Sequence, residues 1–104
     1  MYTREHVSVR GEQMEVLMFD PERRDGNPGL IVCQHIPKAH AGLESDPWQI
    51  GVGERLAKAG YAVAMPFLFH WWPSAEDIDV KRREFRDDWT VADLAAAYDA
   101  LRNR

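Results

Sequence analysis

Four stretches of the sequence hold residue types that could do chemistry. Cys33 and His35 stand two apart at the end of an apolar run, so on an extended strand they share a face and could pair as a thiolate nucleophile and its base. The apolar setting argues against that pairing, because a free cysteine inside such a run ordinarily packs as a small hydrophobe. His35 reads better as a pocket-lining residue, or as a loop histidine bonded to backbone. His35, His40, Glu44 and Asp46 offer donor atoms for a metal, but the spacing matches neither a helical His-x-x-x-His pair nor a zinc-finger pattern, so no metal is expected. Gly51-Val52-Gly53 lacks a third glycine and falls inside a predicted helix instead of at a strand-to-helix turn, which leaves no case for a nucleotide cofactor. Last comes Phe67-Leu68-Phe69-His70-Trp71-Trp72-Pro73, four large aromatics and a histidine just beyond a predicted strand. Phe69, His70, Trp71 and Trp72 are candidate pocket-wall residues, and the rings serve either as core or lid packing or as substrate contacts.

The elements that must position these residues are set by hydrophobic patterning. Leu30-Ile31-Val32-Cys33 runs without alternation after the turn-forming Asp25-Gly26-Asn27-Pro28-Gly29, as a strand covered on both faces does. It turns polar at Gln34-His35 and is stopped by Pro37, so its carboxyl end opens into a loop where parallel sheets place their sites. Upstream, His6 to Val9 and Met14 to Phe19 alternate as two strands of an antiparallel hairpin with a turn over residues 10–13. Downstream, Asp46 as N-cap, Pro47 at the first turn and Gln49 as the return partner of a capping box predict a helix over Pro47 to Ala59, with Gly60 as a left-handed cap. The run Tyr61 to Pro66 then predicts a strand, and strand–helix–strand implies a parallel pair. Ser74 with Asp77 predicts a short charged helix to about Asp87. Thr90 with Asp93 predicts the cap of another, burying Val91, Leu94, Ala95, Tyr98 and Leu101. The fold class is α/β: an antiparallel opening hairpin, then parallel strands with crossover helices.

With 104 residues the chain is one domain, and with 45 % apolar and 29 % charged residues it is of globular composition. A net charge of −4 builds no basic face for nucleic acid. The basic cluster Lys81-Arg82-Arg83 is succeeded closely by Asp87-Asp88, as on a solvated helix. No apolar run reaches the roughly 18 residues a membrane helix needs. One cysteine and an amino terminus without an apolar segment make the cytoplasm the expected compartment.

Three phrases of the sequence, in order, resemble the dienelactone hydrolase family of the α/β-hydrolase fold. They are Gly29-Leu30-Ile31-Val32-Cys33-Gln34-His35-Ile36, the helix-to-strand phrase Glu54 to Pro66 containing Leu56-Ala57-Lys58-Ala59-Gly60-Tyr61, and Asp93-Leu94-Ala95-Ala96-Ala97-Tyr98-Asp99-Ala100-Leu101. The resemblance covers nearly the whole chain but only the amino-terminal half of a family member, so residues 1–104 are expected to form an incomplete hydrolase domain. It implies cleavage of a small carboxylic ester or lactone by a Cys or Ser nucleophile on a G-x-C/S-x-G turn, with an Asp and a His later in the chain. No such motif exists in these 104 residues, so the chain alone is expected to be inactive. What the resemblance assigns to it is the oxyanion side: the loop after the Leu30 strand contributes a backbone N–H, at Ile36, to the stabilisation of the tetrahedral intermediate. Such a donor is worth about 10²–10³ in rate. Where dienelactone-specific members carry a Glu and a carboxylate-binding Arg, this chain has His35 and Trp71, which points away from an anionic lactone and toward a more apolar acyl group. The nucleophile strand would flank Leu30–Gln34, so that edge is expected to be bare, open to self-association or to a completing chain.

Overall fold

The computed structural model describes residues 2–33, 46–73 and 76–104. Among these, the chain forms β1 (Thr3–Val9), β2 (Glu12–Phe19), β3 (Gly29–Ile31), α1 (Pro47–Lys58), β4 (Ala62–Pro66), α2 (Ile78–Glu84) and α3 (Asp87–Arg102). The four strands make one mixed sheet in the order β1-β2-β4-β3. β1 and β2 form the antiparallel hairpin, β2 runs antiparallel to β4, and β3 lies parallel to β4 across the α1 crossover. This is the α/β class read from the sequence, with the expected bare edge: among the described residues β3 pairs on one side only.

Strand alternation divides the core into two layers. Met14, Val16 and Met18 of β2 and Ala64 of β4 face one way and pack with Ala97 of α3. Leu17 and Phe19 of β2 and Val63 and Met65 of β4 face the other way and pack with Ala57 of α1. The sheet is thus covered by a helix on each face, which is why β4 reads as an uninterrupted apolar run.

The hairpin turn is tighter than its residues suggest. Val9 pairs directly with Glu12, and Arg10 and Gly11 alone make the turn at φ 48° and 83°. Two successive positive φ values match the twist of the flanking strands, so Glu12 and Gln13 belong to β2 and not to the turn. α1 starts as predicted, with the Asp46 side chain accepting from the Gln49 N–H at 3.3 Å. It ends one residue short of the prediction in a Schellman motif: Tyr61 N–H donates to the Leu56 carbonyl and Gly60 N–H to that of Ala57, with Gly60 at φ 105°.

The two carboxy-terminal helices depart from the sequence reading. α2 is capped by Asp77, whose side chain accepts from Asp79 N–H at 2.7 Å, but it stops at Glu84 because Phe85 and Arg86 are extended. α3 begins at Asp87, before Thr90, and Arg86 at its N-cap makes no side-chain capping bond. Asp87 and Asp88 sit in its first turn, where negative charge opposes the helix dipole favourably. Its buried face is also rotated from the predicted one. Asp93 and Ala97 are buried and Ala92, Ala96 and Leu101 pack inward, whereas Val91 and Tyr98 are 66 % and 52 % exposed. Alanines let α3 lie close on the sheet, and the polar Asp93 tolerates the core because its oxygens are both used.

Arg104 ties the end of α3 to the hairpin. Its Nε and Nη2 donate to the two Asp20 oxygens at 2.8 and 2.6 Å, Nη2 also reaches Thr3 Oγ1, and Nη1 pairs with Glu5. The Arg104 hydrogen bond, chiefly, holds the Asp20 carboxyl below the ordinary carboxylate range. A depressed carboxylate stabilises the fold above the usual carboxylate pKa, and that contribution is lost as pH falls through the folded-state value. The urea midpoint is therefore expected to fall as the pH is taken below about 4, and Arg104→Ala is expected to flatten that part of the profile. An unchanged slope in the variant would mean other groups carry the acid sensitivity.

Candidate functional site

The sheet brings the carboxyl ends of β3 and β4 side by side, and the candidate site is built from the segments into which these two strands run. After β3 the ladder continues for one bond, Val32 N–H to the Ala64 carbonyl at 2.9 Å, and Cys33 is exposed. Its carbonyl accepts from Gln49 Nε2 at 3.1 Å, and Gln49 is 1 % exposed. Gln49 Nε2 thus reaches from α1 to the backbone two residues past β3, a link that capping of α1 alone would not supply. His35 and Ile36, expected in that loop, lie outside the described residues. Gln49→Ala should remove a neutral hydrogen bond whose acceptor is next to solvent, costing about 0.5–1.5 kcal/mol. Faster amide exchange at Val32 and Cys33 would accompany it, and wild-type exchange there would show that the bond is dispensable.

After β4 the chain is anchored at once by Phe67 N–H donating to the Glu15 carbonyl at 2.8 Å. Phe69 is buried, its ring 5.4 Å from Phe85 and 6.2 Å from Trp72. Trp71 stacks on Trp89 at 5.0 Å, and Trp72 meets Trp89 edge-on at 5.4 Å. Phe85, the residue that stops α2, and Trp89, in the first turns of α3, complete a single aromatic cluster. The Arg86 guanidinium lies 5.1 Å from the Trp89 ring centre. Trp72 Nε1 points to Glu84 at 3.4 Å. The four sequence-predicted wall residues are thus brought together, and Phe69 and Trp71 are engaged mainly by other rings.

The structure adds a residue that sequence reasoning assigned elsewhere. Asp93 is fully buried; one of its oxygens lies 2.7 Å from His70 Nε2 and the other accepts from Trp71 Nε1 at 3.0 Å. The side chains of His70 and Asp93 are 4 % and 1 % exposed. Two consecutive residues of the segment after β4 are therefore held by one carboxylate on α3. A pointer existed in the sequence: an acid at an inward position of a helix must meet donors, and His70-Trp71 supplies two ring N–H groups in succession. On α2, Lys81 is also fully buried, and burial pushes its ammonium below the ordinary lysine range while Glu76 opposes the shift. Among the described residues no three His, Cys, Asp or Glu side chains gather as a metal site would require.

A cavity lies elsewhere, along the edge of β3 that is unpaired among the described residues. It is a groove of about 690 Å³ lined by Leu30, Ile31, Tyr98, Leu101, Arg24 and Arg104, among others, and by none of the aromatic wall residues. It borders the β3 edge and the carboxy-terminal part of α3, away from the aromatic cluster. No described helix is long and apolar enough to cross a membrane.

No protein-family model matches the sequence, and no curated protein matches it. Solved structures do match the fold. A Klebsiella pneumoniae protein assigned as a dienelactone hydrolase superposes with a TM-score of 0.76 at 22 % identity, over 100 % of this chain and 44 % of its own. Dienelactone hydrolase from Anabaena variabilis gives 0.63 at 24 % identity, over 95 % of this chain and 43 % of its own. The thioesterase domain from the curacin biosynthetic pathway gives 0.54 at 20 % identity, over 99 % and 33 %. The chain therefore spans less than half the length of the hydrolases it resembles, and it has a partial α/β-hydrolase fold of the kind found in dienelactone hydrolases, consistent with their amino-terminal half.

Proposed function

We propose that this chain is the amino-terminal part of a hydrolase that cleaves a carboxylic ester or lactone by covalent acyl transfer, acting in the cytoplasm. The observation that carries the reading is the superposition of the whole chain on less than half of a dienelactone hydrolase. In that reaction a nucleophile supplied outside these residues adds to the acyl carbon, and the carbonyl oxygen gains the charge. The Ile36 N–H donates to that oxygen, and His35, Phe69, His70, Trp71 and Trp72 line the acyl pocket. The apolar wall, with Trp71 in place of an arginine, favours an uncharged acyl group. No ester turnover is expected from the purified 104 residues. Turnover is expected when they are co-expressed with a polypeptide carrying the G-x-C/S-x-G turn, the Asp and the His. Turnover by the 104 residues alone, or none from the pair when it co-purifies, would overturn the reading.

A second reading, a non-catalytic half-domain that acts by association, is favoured by the bare β3 edge and by Val91 and Tyr98 exposed on the neighbouring helix. An unpaired apolar edge is a template for another strand. Sedimentation should then show dimers or larger species, and Leu30→Lys should shift them toward monomer; a monodisperse wild-type monomer would exclude this reading.

A further inference from the structure

Asp93 joins α3 to the segment after β4 across 22 and 23 residues of sequence, through one bond from each carboxylate oxygen. A carboxylate only accepts, and the Trp71 indole only donates, so the Trp71 bond has a single sense. His70 offers a choice, since a neutral imidazole carries its proton on either nitrogen, and the atom facing Asp93 is Nε2. An Nε2 lone pair set against a carboxylate oxygen at 2.7 Å would be repelled, whereas Nε2–H donates to it. The other nitrogen, Nδ1, is buried and meets no hydrogen-bond partner among the described residues. The His70 ring also lies 4.4 Å from that of Trp71, so its orientation is fixed on a second side.

We propose that Asp93 is a positioning residue of the acyl wall: it holds Trp71 by its indole and His70 as the Nε2–H tautomer, which leaves the buried His70 Nδ1 without a proton. Its place on the acyl wall rests on the hydrolase reading above; the tautomer does not. Trp71 has its one ring donor engaged by Asp93 and its ring packed against Trp89 and His70.

The test is the ¹⁵N spectrum of histidine-labelled 104-residue chain at about pH 8, where histidine is ordinarily neutral, recorded in solution or by magic-angle spinning so that association is no obstacle. His70 is assigned by His70→Gln against His6, His35 and His40. The expected result is a protonated Nε2 and a bare Nδ1, with Trp71 Nε1–H protected from exchange. Asp93→Asn keeps one acceptor and introduces an amide donor. Since the indole cannot switch and the imidazole can, His70 is expected to convert to the Nδ1–H tautomer while Trp71 stays protected. Trp71→Phe removes the other donor and is expected to leave the His70 tautomer unchanged. A protonated Nδ1 in the parent chain would overturn the proposal whether or not the variants fold, and so would an unchanged tautomer in folded Asp93→Asn. Ester turnover by the completed enzyme decides the hydrolase reading separately, because the tautomer is read without substrate.

Discussion

Asp93→Ala is expected to destabilise the fold by about 3–5 kcal/mol, more than any other substitution of a single described side chain proposed above. The carboxylate is fully buried and takes a ring N–H on each oxygen. Hydrogen bonds to a charged group contribute about 1.5–3 kcal/mol each, and a buried donor left without a partner costs its desolvation in full. Alanine removes both acceptors at once. Relief from burying the carboxylate offsets part of this, but His70 is 4 % exposed at its side chain and cannot turn to water for a replacement. Against the roughly 5–15 kcal/mol that holds an ordinary domain, such a loss is large. Equilibrium urea unfolding followed by tryptophan fluorescence measures it, and the Trp71–Trp89 stack gives the signal local meaning. A loss under about 1 kcal/mol would show that the pair of bonds contributes little net stability.

Gly53→Val comes next, at about 3 kcal/mol. Gly53 is buried in the middle of α1, and a Cβ built there would stand 2.6 Å from the Phe19 ring. Phe19 is fully buried on β2 with Tyr2 against it at 5.4 Å, so the ring has little room to retreat. Overpacking of this kind costs about 1–3 kcal/mol, and valine sits at the upper end because it brings two further methyl groups. Gly53→Ala is the informative contrast. Alanine in a helix interior is worth about 1 kcal/mol over glycine, so the two effects oppose and the net loss should be smaller. If the Phe19 contact is the cause, Phe19→Leu should relieve it, and a double-mutant cycle should give a coupling of at least about 0.5 kcal/mol. Full additivity would place the cost elsewhere in α1. The same contact explains the second glycine of Gly51-Val52-Gly53: Gly53 lets a helix approach a ring.

The sequence by itself determined the elements whose signals are local. The hairpin, α1 with its Asp46 cap and Gly60 exit, and the apolar runs of β3 and β4 are set by residues within a few positions of one another, and their order alone demands a parallel pair and a mixed sheet. The bare outer edge of β3 was legible through the resemblance to a longer hydrolase. The tertiary structure decided what depended on distant partners. Gln49 has a capping role available within three residues, and its side-chain amide also donates to the Cys33 carbonyl just past β3, sixteen residues away in sequence. Asp93 has a capping role available to Thr90, yet it sits inward because His70 and Trp71 arrive from the segment after β4. Once Asp93 turns inward, the phase of α3 is set: Ala97 joins the core, and Val91 and Tyr98 go to the surface, against the preference of their side chains. A polar side chain satisfies its hydrogen bonds wherever the fold supplies a partner, and spacing along the chain records only the partners that are near in sequence.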